Sequence, residues 1–248
     1  MSNVRWIYLS PHLDDAILSC GGLIHKQNKS RTNVEVWTIC AGDPPEGRLS
    51  PFAMKQHDGF PSGEDYLQTR RNEDIHACQL VGARHRHLPF QDCIFRQSMD
   101  ERWLYASEDA IFGEMSSDDE PTIIIITKYL KTILKPTDIV VAPMALGNHV
   151  DHQVVRKAVE ELDQPVRFYA DIPYAIRHKE DFFRISKDFI NDPHKLSENN
   201  ISCWQESIRA YSSQIKVLFG NSEKMVQSID NYSRFFDDFH LWIQKQLS

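Results

Sequence analysis

The run Val4-Arg5-Trp6-Ile7-Tyr8-Leu9-Ser10 reads as a buried strand, and Pro11-His12-Leu13-Asp14-Asp15 follows it without a spacer. Three metal-competent side chains therefore stand where a strand ends. A second apolar run, Asp138-Ile139-Val140-Val141-Ala142-Pro143, leads into His149-Val150-Asp151-His152. Open parallel sheets bind ligands at the carboxyl ends of their strands. Two such clusters, far apart in sequence, form one site only in a fold that brings two strand ends together.

The rest of the chain supplies that fold. Ala16–Ile24 reads as a helix whose Gly21-Gly22 pair allows close packing, and Asn33–Cys40 as the next strand. Residues 41–63, rich in Gly, Pro and polar side chains, read as a long loop above the same sheet edge, a common place for a functional lid. A helix over 64–80, closed by Gly82, precedes a short strand around His87–Phe90. After a long connection over 91–119, Asp118 or Asp119 caps a helix that carries Pro121 in its first turn and stops at Pro136. Strand 138–143, helix 152–162 and strand 165–172 follow, and the last part reads as mostly helical, with patterns over 204–218 and 222–236. The alternation predicts an α/β class: a Rossmann-like, mostly parallel sheet with helices on both faces and a helical C-terminal part. At 248 residues the chain is expected to form one domain over 1–248.

Composition excludes several functions. A net charge of −7, with no long cluster of Lys or Arg, argues against nucleic acid as a partner. The apolar run Ile123–Ile126 is interrupted by Lys128 and Lys131, short of the roughly 20 residues a membrane span requires, and reads as a core helix face. Five scattered cysteines with no C-x-x-C pair read as reduced, buried thiols. The amino terminus enters a strand pattern directly, without a basic start and apolar leader, so a cytoplasmic location is expected. An apolar face among the C-terminal helices serves either the core or a homo-oligomer interface.

His12, Asp15 and His152 together offer two imidazoles and a carboxylate, a catalytic Zn²⁺ set that leaves a fourth position for water. Zinc lowers the pKa of a bound water from 15.7 to about 7. Asp14, adjacent in sequence but aimed elsewhere by a tight turn, is then placed to act as general base. His149 would face the other side of a substrate carbonyl, as oxyanion stabiliser or acid, with Asp151 holding its ring or orienting a ligand. The bland account has the carboxylates capping the helices that begin near Ala16 and His152. Capping does not explain why histidines accompany them at both strand ends.

With these residues in place, the chain resembles the PIG-L/LmbE-like zinc de-N-acetylases, whose signature is His-Pro-Asp-Asp after the first strand and a later His-x-Asp-His. Here the segments are His12-Leu13-Asp14-Asp15 and His149-Val150-Asp151-His152. The likeness extends to Gly21-Gly22, to Arg70-Arg71-Asn72-Glu73, to Leu88-Pro89-Phe90-Gln91-Asp92 and to Ala210-Tyr211-Ser212-Ser213-Gln214. The resemblance implies hydrolysis of an N-acetyl group from an N-acetylglucosamine-type sugar conjugate, with Zn²⁺ as cofactor. It makes His12, Asp15 and His152 the metal ligands, Asp14 the base, His149 the partner of the tetrahedral intermediate and Arg70 a contact for a sugar or anionic group. Leu13 replaces the family's usual proline, which loosens the turn, and Ala16 stands where many members have glutamate, which removes an acceptor behind the ligands.

Other residues carry weaker signals. Arg70 is equally suited to a surface ion pair with Glu73 or Asp74. Asp43, after the second strand, and Asp92 either contact substrate hydroxyls or start turns. Tyr174 and His178 either line a pocket from above or sit in solvent. Two other functions remain in view: an inactive sugar-conjugate binding protein, and a non-haem Fe(II) oxygenase using His12, Asp14 and His152 as its triad. No G-x-G-x-x-G follows the first strand, so a dinucleotide site lacks its phosphate cradle.

Overall fold

The computed structural model describes residues 4–57, 66–235 and 239–245. Its strands are β1 (Arg5–Ser10), β2 (Asn33–Thr38), β3 (Arg84–His87), β4 (Ile139–Pro143), β5 (Val166–Tyr169), β6 (Phe189–His194) and β7 (Phe239–Gln244). The early helices are α1 (Asp15–Lys29), α2 (Pro51–His57), α3 (Tyr66–Val81), α4 (Glu108–Ile111), α5 (Glu120–Ile133) and α6 (Val150–Glu160). The later ones are α7 (Tyr174–Arg177), α8 (Lys179–Ser186), α9 (Glu198–Arg209), α10 (Ser212–Phe219) and α11 (Ser222–Phe235). All seven strands join one sheet in the order β3-β2-β1-β4-β5-β7-β6. The first five are mutually parallel, while β7 pairs antiparallel with both β5 and β6.

The near-continuous apolar reading of β1 and β4 follows from burial on both faces, since α1, α3 and α9 pack as one layer and α5 with α6 as another. Gly21 and Gly22 let α1 approach α9: a Cβ on Gly21 would stand 2.6 Å from the Trp204 ring, and one on Gly22 2.8 Å from Leu196. Trp204 secures the approach by donating its indole N–H to the Ile17 carbonyl at 2.9 Å. From β1 the chain winds to β2 and β3, and from β4 it winds the opposite way to β5. The neighbouring ends of β1 and β4 are therefore a topological switch point, where loops diverge and leave a crevice.

Several expectations are corrected. The loop over 41–63 contains α2, seated by Ala53 and Phe52 on the apolar cluster around Cys93 and Phe95; residues 58–63 and 64–65 lie outside the described residues, as does Phe236. The helix expected over 204–218 is two helices, α9 and α10. Tyr211 breaks it by donating its hydroxyl to Asp74 at 2.7 Å, while Glu73 takes the hydroxyls of Ser212 and Ser213 and the Ser213 amide at 2.6–2.9 Å. The C-terminal part is not wholly helical, because β6 and β7 complete the sheet. Pro193 obscures β6 in the sequence, and β6 lies at the sheet edge, where proline is tolerated. In α5, Ile126 and Leu130 reach the core but Ile124 and Ile125 are more than half exposed. All five cysteines are free thiols. Among the described residues no helix is long and apolar enough to cross a membrane.

Candidate active site

The turn after β1 is folded by its own polar groups. Ser10 donates its hydroxyl to the His12 carbonyl at 2.6 Å and accepts the Ala16 amide at 2.9 Å, while the Asp14 amide closes on the same carbonyl at 2.9 Å. These bonds hold the turn in the absence of the family's usual proline, and Leu13, which stands in its place, is buried. Asp14 occupies the N-cap position of α1 but makes no side-chain cap bond, so the capping account fails for it. Asp15 instead accepts the His12 amide at 2.8 Å. At the end of β4, His149 caps α6: its Nδ1 accepts the Asp151 amide at 3.2 Å.

These local structures bring the two clusters together. Asp15 Oδ2 stands 3.1 Å from His12 Nδ1 and 3.3 Å from His152 Nε2. Ligand atoms about 2.0–2.1 Å from a tetrahedral zinc are separated by about 3.3 Å, so these two spacings suit such an ion. The other nitrogen of each ring meets a buried carboxylate, His12 Nε2 with Asp151 at 2.9 Å and His152 Nδ1 with Asp171 at 2.6 Å. Metal-ligating histidines are oriented in this way. Among the described residues, the groups whose ligand atoms all lie within 4.8 Å of one another are His12 with His149 and His152, Cys93 with His149 and Asp151, and His12 with Asp92 and Asp151; the first shares His12 and His152 with the expected ligand set and has His149 in place of Asp15. Asp151 is already engaged by the Arg96 guanidinium and by the Cys93 amide at 3.0 Å. Its carboxylate therefore orients His12 and does not hold the His149 ring.

Burial and charge then divide the titratable groups. Burial lowers the His152 pKa, but Asp15 and Asp171 outweigh it and hold the imidazole up at about 10; His12, buried between Asp15 and Asp151, is likewise held well above its ordinary value. Burial opposes ionisation of Asp15, yet the flanking imidazoles keep it well below the usual carboxylate range. The same carboxylates that raise both imidazoles make this a field suited to a divalent cation. Burial dominates at Asp14 and pushes it up to about 6 despite Arg70. His149 is driven well below its ordinary value by burial and by its cationic neighbour His12, so it is neutral, with Nδ1 accepting and Nε2 carrying the proton.

His12, Asp14, Asp15, Arg70, Asp92, His149, His152 and Tyr174 line one cleft at the switch point. Arg70 is not on the surface: it is buried, donating to Asp14 at 3.3 Å and to the Tyr66 hydroxyl at 3.0 Å, rather than pairing with Glu73 or Asp74. Because Arg70 engages Asp14, the His12–Asp14–His152 triad of an oxygenase is not favoured. Asp92 caps the short turn Cys93–Phe95 through Ile94 and lies 3.8 Å from His12 Nε2. Tyr174 packs edge-on to His152, its ring 6.0 Å away, in place of an exposed position. Asp43 is not brought to the cleft; it is exposed and paired with Arg71 at 2.9 Å. Asp171, Arg96 and Phe112 escaped the sequence reading. A lone acidic residue two positions after the β5 run was the one available signal for Asp171.

The family pattern described as PIG-L, GlcNAc-PI de-N-acetylase, matches residues 7–162, more than half of the chain. The chain belongs to the PIG-L family. Among PIG-L-type relatives, the 2'-N-acetylparomamine deacetylase of Niallia circulans is 28% identical over 97% of this chain and 90% of its own length. The 2'-N-acetylparomamine deacetylase of Streptomyces fradiae is 31% identical over 69% of this chain and 58% of its own length. The zinc-inhibited form of teicoplanin deacetylase superposes with a TM-score of 0.84 at 28% identity, covering 98% of this chain and all of that one.

Proposed function

We propose that this protein is a zinc-dependent amide hydrolase that removes the acetyl group from an N-acetylglucosamine-type sugar conjugate, releasing acetate and a free amine. The observation that carries the reading is the convergence of His12, Asp15 and His152, with ring-orienting carboxylates behind both imidazoles, beside a buried Asp14 in an open cleft. Relatives of similar length that are a 2'-N-acetylparomamine deacetylase and a teicoplanin deacetylase support the same reaction.

His12, Asp15 and His152 would hold Zn²⁺, which supplies Lewis acidity and a nucleophile at neutral pH. Asp14 takes the proton of the attacking water; its raised pKa suits a group that must accept that proton and then return it to the departing nitrogen. Arg70 fixes the carboxylate for both transfers. His149 acts as a neutral donor: its Nε2–H is free to face the carbonyl oxygen as negative charge gathers there, while the Asp151 amide fixes the tautomer. Asp151 and Arg96 keep the His12 ring in register. Asp92 and Tyr174 bound the cleft that receives the sugar.

The test is acetate release from a panel of N-acetylglucosamine conjugates by zinc-loaded protein beside Asp14→Ala. Release that requires both zinc and Asp14 is the expected result. A chain that binds one zinc and hydrolyses none of the panel overturns the reading.

A further inference from the structure

The turn between β4 and α6 runs against ordinary backbone preference. Ala145, Gly147 and Asn148 have φ values of 61°, 80° and 63°, the left-handed region that side-chain-bearing residues seldom occupy. Such strain persists where surrounding bonds over-determine it, often at a ligand clamp. Here the bonds are of two kinds. The Leu146 amide donates to Asp171 Oδ2 at 3.0 Å, tying the turn to the carboxylate behind His152. The Asn148 side-chain Nδ2 donates to the Phe112 and Gly113 carbonyls at 3.1 and 2.8 Å, and the Gln153 side chain donates to the Gly113 carbonyl at 2.8 Å and to the Asn148 carbonyl at 2.7 Å.

The second set grips the chain where α4 ends and fixes the Phe112 ring over the site. That ring meets His149 edge-on, with centroids 5.2 Å apart and planes at 88°, and lies 6.0 Å from Tyr174. Gly147 keys the second ring into the same turn, since a Cβ there would stand 2.4 Å from the Tyr174 ring. Phe112 and Tyr174 both line the cleft. Phe112 has no proton to give or take, so its place beside the oxyanion donor is a matter of shape. An apolar face next to polar, charge-bearing groups complements a ligand with C–H bonds on one face and hydroxyls around its edge, which describes a pyranose ring.

We propose that Phe112 is the platform on which the sugar ring of the substrate rests, with Tyr174, inclined at 65° to it, walling one side, and that Asn148 is the positioning residue that holds Phe112 there. The proposal rests on the amino-sugar reading above, and its test separates the two. Phe112→Ala is expected to raise KM for an N-acetylglucosamine glycoside about tenfold, with kcat within about threefold and zinc content unchanged, and Phe112→Tyr to restore KM. Asn148→Gly keeps the left-handed backbone and removes the amide donors, so it is expected to raise KM in the same direction. Should Phe112→Ala fail to fold, Phe112→Leu keeps the volume and removes the π face.

An unchanged KM in the Phe112 variants, or a loss confined to kcat, overturns the proposal. If the native chain releases no acetate, the hydrolytic reading falls, and the platform is judged by titrating methyl N-acetylglucosaminide against native and variant protein. Binding weakened about tenfold by Phe112→Ala then sustains it. Equal binding by both, or no binding by the native chain, overturns it.

Discussion

Asp171 accepts from His152 on one side and from the Leu146 amide on the other, so one carboxylate orders both a metal-competent ring and the turn above it. Asp171→Asn is therefore expected to weaken zinc binding about 10–100-fold, measured by competition with a chromophoric chelator. Asp14 touches Arg70 and no imidazole, so Asp14→Asn is expected to lower kcat by about 10²–10⁴ while zinc content stays at the native level in elemental analysis. The contrast between these two carboxylates also explains what the sequence revealed. His12, Asp15, His149 and His152 stand in short clusters after strands, where chemistry and secondary structure coincide. Asp171 has no such neighbour, and its bond partner lies 19 residues away. Arg70 was ambiguous because helical spacing offers it Glu73 and Asp74 equally, and only the tertiary fold turns it inward.

Helix α10 is secured from outside itself. Glu73 on α3 accepts three hydrogen bonds from its first turn, and Arg177, at the end of α7, donates to the Leu218 carbonyl near its last. Gln214 and Leu218, one helical turn apart, then line the cleft. Glu73→Ala removes the acceptor of the Ser212 and Ser213 donors, which lie near enough to solvent for water to take its place, and is expected to cost about 0.5–1.5 kcal/mol, read from the midpoint of urea denaturation. Glu73→Gln, which keeps one acceptor, is expected to cost less. Periodicity located the long helices because apolar stripes are local. It ran through the α9–α10 break because nothing at Ala210-Tyr211 resembles a turn; the break is imposed by Asp74 from another helix. Strands β6 and β7 were missed for a related reason: each is defined by pairing with the other across some fifty residues, from Phe189↔Gln244 to His194↔Phe239.

Across the whole molecule, the seven strands and their helices serve to hold the ends of β1, β4 and β5 side by side. If zinc binds at that junction as proposed, it favours the native chain over the unfolded one. At a hundredfold excess of free zinc over Kd, the gain is about 2.7 kcal/mol. For a chain of this size that corresponds to a thermal midpoint higher by roughly 5–11 °C, to be checked by calorimetry of zinc-loaded protein against the same protein in chelator. The alternation of strand and helix made the parallel half of the sheet legible, and with it the crevice. The antiparallel half has a consequence of another kind. Strand β7, the last element described, lies between β5 and β6 rather than at the rim. During synthesis on the ribosome, β5 therefore remains an open edge, and β6 has nowhere to dock, until residues 239–244 have emerged. A nascent chain stalled before Phe239 would carry five assembled strands ending in an unpaired edge, the condition under which sheets recruit other chains.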